Sequence, residues 1–123
     1  MIFVQSETFN PGEALNSFMA GRTEEGAVVS FTGHVRNSGD NDNVTALNLE
    51  HYPGYTETEI AKIEENALSR WDSIECLIIH RFGELLPGEP IVFVAVCSAH
   101  RASAFEAASY LMDYLKTLSV IHI

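Results

Sequence analysis

Positive charge is scarce in this chain of 123 residues: seven Lys and Arg stand against 17 Asp and Glu, a formal charge of −10. That deficit disfavours duplex nucleic acid and anionic membrane surfaces as partners, because both reward clustered Lys and Arg. Cysteine is scarcer still. Cys76 and Cys97 are too few for a disulfide scaffold or a cysteine-ligated zinc knuckle. Each lies in an apolar run, Cys76-Leu77-Ile78-Ile79 and Val94-Ala95-Val96-Cys97, and so reads as a reduced core thiol. No apolar stretch approaches a bilayer span, and Met1-Ile2-Phe3-Val4-Gln5 has no cationic n-region, so the expected setting is the cytoplasm. There is no GxGxxG, P-loop or GxSxG motif. No two of the five histidines have the i, i+4 spacing of a helical metal site, so the residues imply no metal or cofactor.

What remains is ordinary for one domain: 46% hydrophobic residues, enough for a single core. Ile2 to Thr8 reads as an opening strand. Asn10-Pro11-Gly12-Glu13 has an N-cap, a proline at N1 and a glutamate at N3, and starts a helix that ends at Gly21. Gly26 to Thr32 is a nearly continuous apolar strand, expected to be central in the sheet. Asn37 to Asn43 holds only turn-forming polar residues and reads as an exposed loop. A strand restarts at Val44 and ends near Tyr52. Helical period returns from Thr56 to Trp71, with Ile60, Ile63, Ala67, Leu68 and Trp71 on the apolar side. Strands are expected at Ile74 to His80 and Ile91 to Ser98, joined by a turn-rich connection from Gly83 to Pro90. A last helix from Ser103 to Leu118 carries Phe105, Ala108, Leu111, Met112 and Leu115 as its core stripe. The order β-α-β-β-α-β-β-α predicts an α+β domain with a mixed, mainly antiparallel sheet and packed helices.

With cations so few, their places matter. Ser98-Ala99-His100-Arg101 lies where the last strand opens onto a helix N-terminus, where free N–H groups and the helix dipole favour an anion. A helix cap with a surface ion pair would use the same residues. Phe31-Thr32-Gly33-His34-Val35-Arg36 leaves a buried strand with Arg36 at the polar loop, as a ligand contact or a solvated bulge. Lys116 follows Met112 by one helical turn, so it is either a partly desolvated proton-transfer group or a lysine snorkelling at the core edge. His80-Arg81-Phe82-Gly83 reads as a structural turn that could border a pocket. From the residues alone, a regulatory module for some other small anion stays open beside an enzyme.

The segments Gly26–Asn37, Leu47-Asn48-Leu49-Glu50-His51-Tyr52, His80-Arg81-Phe82-Gly83-Glu84-Leu85, Ala99-His100-Arg101, Ala104-Phe105-Glu106-Ala107 and Met112–Thr117 follow one another as in a known family. Together they resemble the catalytic (large) subunit of molybdopterin synthase, the MoaE family. The resemblance implies an α/β-hammerhead domain over residues 1–123 that forms a homodimer. Each copy would bind a small ubiquitin-like sulfur-carrier subunit, giving a heterotetramer. The carrier's C-terminal Gly-Gly thiocarboxylate would deliver sulfur to cyclic pyranopterin monophosphate, two transfers making the molybdopterin dithiolene. By the same resemblance, His34, Val35, Arg36, His100 and Arg101 would hold the substrate, Lys116 would move a proton or stabilise an anion, and Phe31 and Met112 would line the pocket. Residues 117–123 are atypical: Val120, His122 and Ile123 stand where the family has a Pro-x-Trp-Lys-like segment with a second lysine. An alternative expectation is therefore a binding subunit of the same complex without its chemistry.

Overall fold

The computed structural model describes residues 1–37 and 47–118. In chain order the elements are β1 (Ile2–Gln5), α1 (Pro11–Met19), β2 (Ala27–His34), β3 (Leu47–Leu49), α2 (Tyr55–Arg70), β4 (Ile74–Arg81), β5 (Gly83–Leu85), β6 (Pro90–Ser98) and α3 (Arg101–Leu118). Four strands form one sheet in the order β1-β4-β6-β2, with β1 parallel to β4 and the other pairs antiparallel. This is the mixed α+β architecture expected from the sequence. No helix among the described residues is long and apolar enough to cross a membrane.

Strands β4 and β6 are the central pair, covered on both faces, which is why their sequences run apolar without alternation. The strand period of two divides them. Cys76, Ile78, Val92, Val94 and Val96 meet Ile60, Ile63 and Ala67 of α2 and Ala107, Leu111 and Leu115 of α3. Leu77, Ile79, Phe93, Ala95 and Cys97 meet Phe18 of α1 on the other face. Helix α1 starts as anticipated: the Asn10 side chain accepts from the Glu13 N–H at 3.1 Å, with Pro11 at the first helical position.

Several expectations need correction. Strand β2, expected to be central and buried, is an edge of the sheet, paired with β6 alone among the described residues and partly exposed along its length. Phe105 is 63% exposed and Leu68 43% exposed, so neither belongs to the core. The buried row of α3 is Ala104, Ala107, Ala108, Leu111 and Leu115, and Phe105 sits on its flank. Leu68 lies one residue, about 100° of helical turn, beyond buried Ala67. A strand absent from the sequence reading, β5, pairs with β3, setting Leu47 opposite Leu85 and Leu49 opposite Gly83. Leu49 and Leu85 join Val35 and Ile91 in a separate small core. Residues 38–46, with most of the expected polar loop and the strand start at Val44, lie outside the described residues.

The two thiols face opposite sides of the sheet, both buried and free. Burial, reinforced by the Glu64 carboxylate that accepts the Cys76 S–H at 3.4 Å, pushes Cys76 from 9.0 up to about 12. Burial also raises Cys97. Alkylation near pH 8 should therefore label neither cysteine in the folded protein and both after denaturation. The unfolded thiol ionises first as pH rises, so this contribution to stability is intact below 9.0 and is lost progressively toward 12. Urea unfolding midpoints measured across that range check the sign.

Candidate functional site

Four of the seven cations are engaged in holding the fold together. Arg22 donates to the Phe18 carbonyl at 2.7 Å and pairs with Glu25 and Glu75. Lys62 pairs with Glu59, and the Arg70 guanidinium lies over the rings of Trp71 and Tyr110. Arg81 is buried, donating to the Ser6 and Pro90 carbonyls at 3.0 Å each, with Glu89 at 3.8 Å. The other three are Arg36, Arg101 and Lys116. All three are exposed, and none has a hydrogen-bond or ion-pair partner among the described residues. In a chain with ten more acids than bases, an unpaired cation is the exception, and these are the same three that the sequence singles out.

Arg36 is held by its neighbour. Val35 is buried, its N–H donating to the Glu89 carbonyl at 2.9 Å and its carbonyl accepting from the Gly88 N–H at 2.8 Å. That pair of hydrogen bonds to the turn before β6 pins the backbone and leaves His34 and Arg36 exposed on either side. The buried Val35 side chain packs against Leu49, Leu85 and Ile91, which anchors the backbone next to Arg36. Gly33 permits the approach: a Cβ there would meet Val92 Cγ1 at 3.0 Å, and the register of β2 against β6 shifts between Gly33 and His34. Phe31, opposite Val94, is on the face covered by α3, where Met112 is also partly buried.

His100 and Arg101 open α3. The His100 N–H donates to Ser98 Oγ at 3.3 Å, and its carbonyl accepts the N–H of Ala104. The pair lies beside Ala27, because Ala27 faces Ser98 across the β2/β6 ladder while His34 faces Pro90. Seven residue steps along β2 span about 23 Å. Helix α3 returns the same way, and the 15 steps from Arg101 to Lys116 span about 22 Å. Thr117 and Leu118, at its C-terminal end, border a cavity of about 550 Å³ together with Asn48, Leu49 and His80. Within one chain, Arg36 and Lys116 therefore sit at one end of this layer, and His100 and Arg101 at the other. His80, left as a turn residue by sequence reasoning, lines that cavity; its place at the end of an apolar strand was the available signal.

Fold and charge placement define an α+β domain whose unpaired cations lie at both ends of one strand-and-helix layer. Residues 4–118 match the MoaE protein family, and the chain belongs to it. It is 54% identical over 116 residues to the molybdopterin synthase catalytic subunit of Escherichia coli K12, covering 94% of this chain and 77% of that one. Among solved structures, the molybdopterin biosynthesis MoaE protein of Burkholderia ambifaria superposes with a TM-score of 0.85 at 40% identity, covering 94% of this chain and 76% of that one. Molybdopterin synthase from Staphylococcus aureus gives 0.83 at 31% identity, covering 93% and 82%.

Proposed function

We propose that this chain is the catalytic subunit of a cytoplasmic molybdopterin synthase, acting as a single domain. It moves sulfur from the thiocarboxylated tail of a small carrier subunit to cyclic pyranopterin monophosphate. The observation that carries this reading is the set of three cations that have no partner among the described residues of a strongly acidic chain. A phosphate is well served by guanidinium groups, which present paired N–H donors to its oxygens, so Arg36 and Arg101 take the substrate with His34 and His100 beside them. Lys116 is the remaining donor, placed to stabilise the anion that develops as sulfur changes carbon partner, or to carry the proton.

One chain cannot close both ends on one small substrate, since about 20 Å separates them. Two copies can. Among the described residues strand β2 is an open sheet edge carrying half-exposed Val28 and Phe31, an apolar edge of the kind that pairs with another chain. Antiparallel pairing about a twofold axis near Ser30 and Phe31 sets each copy's His34 end against the other's Ala27 end. Arg36 and Lys116 of one copy then share a site with His100 and Arg101 of the second.

Reconstitution tests the assignment. Mixing the chain with thiocarboxylated carrier and the cyclic pterin should yield molybdopterin, and Lys116→Ala should cut turnover by about 10²- to 10⁴-fold with carrier binding retained. Carrier binding without product would make the chain a docking subunit, the alternative raised by Ile123 at the second lysine's place. Ile123 lies outside the described residues.

A further inference from the structure

His80, next to last in β4, is 7% exposed, and neither of its ring nitrogens has a hydrogen-bond partner among the described residues. Native folds seldom leave a buried polar side chain in this state, because it gives up its bonds to water and receives none in return. The ring borders the cavity at the C-terminal end of α3 with Asn48, Glu50, Tyr52 and Thr117. No Lys or Arg lines that cavity among the described residues. The one carboxylate on it, Glu50, accepts a hydrogen bond from the Tyr52 hydroxyl, and nearby His51 is paired with Glu57 at 2.9 Å. An anionic ligand would thus meet a carboxylate and no balancing cation, so the cavity suits an uncharged polar one.

Burial, opposed in part by the nearby Arg81 carbonyl and aided by His51, lowers the pKa of His80. The ring is therefore the neutral imidazole, with one N–H donor and one bare nitrogen acceptor. A peptide group offers the matching acceptor and donor, and Asn48 and Thr117 add further polar groups suited to main chain. The cavity also lies at the helix end that carries Lys116. We propose that His80 is a positioning residue that hydrogen-bonds a main-chain peptide group of the carrier's C-terminal tail, seated in extended form in this cavity. The proposal rests on the carrier-dependent reading above. It leaves the terminal thiocarboxylate, the one charged group of such a tail, to Lys116.

Calorimetry with full-length carrier and with carrier lacking its two C-terminal glycines separates tail binding from body binding. The full-length carrier should bind the wild-type chain at least about 5- to 10-fold more tightly than the truncated one, His80 contributing the value of one buried neutral hydrogen bond and the contact of Lys116 with the thiocarboxylate adding to it. His80→Leu should cut that tail increment by about 5- to 10-fold and leave affinity for the truncated carrier unchanged. His80→Gln, which keeps a donor and an acceptor, should retain most of it. His80→Leu should also unfold at a temperature no lower than wild type, because it replaces an unsatisfied polar group with an apolar one. An undiminished increment in His80→Leu, or a loss falling equally on the truncated carrier, overturns the proposal. If the wild-type chain bound carrier of neither length, the carrier reading itself would fall.

Discussion

Two inactive variants of this chain should make an active mixture. Lys116→Ala removes a group at the β2 end of the layer, and Arg101→Ala removes one about 20 Å away at the start of α3. Each homodimer carries its lesion in both sites, so each alone should turn over at a few per cent of wild type or less, in line with the 10²-fold or greater cost of losing a proton-transfer or charge-stabilising group. After the two are mixed in equal amounts and allowed to exchange, about half the dimers are hybrids. A hybrid has one site with both lesions and one with neither. Recovered activity should therefore reach about a quarter of wild type. A site built within a single chain predicts no recovery, so molybdopterin formed per protomer by the mixture decides between the two architectures.

The largest loss of stability from a polar substitution is expected at Arg81. Its side chain is 4% exposed and ties the end of β4 both to the chain after β1, 75 positions away, and to the start of β6. Its Nε and Nη2 donate to the Ser6 carbonyl after β1, its Nη1 donates to the Pro90 carbonyl at the start of β6, and Glu89 lies at 3.8 Å. Arg81→Ala leaves those carbonyls without their donors and opens a void, costing about 3–5 kcal/mol by analogy with broken buried charge networks. A domain of this size has about 5–15 kcal/mol in hand. The melting temperature should fall by on the order of 10 °C or more. Arg81→Lys should recover little, because one ammonium cannot span the directions that the guanidinium reaches. Glu89 also accepts from the Leu86 N–H, and its carbonyl holds Val35, so loosening this corner should also disturb Arg36. A change in urea midpoint without a comparable loss of substrate affinity would show that the corner and the site are independent.

Much of this was legible in the residues, and the gaps have physical causes. The α1 start could be read because Asn10 and Pro11 act within one helical turn. The central strands could be read because burial on both faces forces uninterrupted apolar runs, as from Cys76 to Ile79. Strand β5 could not, since Gly83-Glu84-Leu85 contains a single alternation and is a strand only by virtue of its partner β3. The expected burial of Phe105 and Leu68 came from a helical stripe drawn one residue too wide. The scarce cations at strand and helix ends were visible as a list. That β2 runs antiparallel to β6, carrying Arg36 away from His100 and Arg101, is a matter of register across strands that no local pattern encodes. His80 was hidden for a related reason, because its isolation depends on what surrounds it in space.

Strand β2 has eight residues, and that length acts as a ruler. In the paired arrangement its two ends mark the two reaction centres of the dimer, so the centres lie farther apart than any small pterin can reach. A substrate that needs two sulfur atoms must then receive both where it first binds, waiting there while a spent carrier departs and a charged one arrives. Productive turnover by such an assembly requires the half-converted pterin to outlast the exchange of its protein donor.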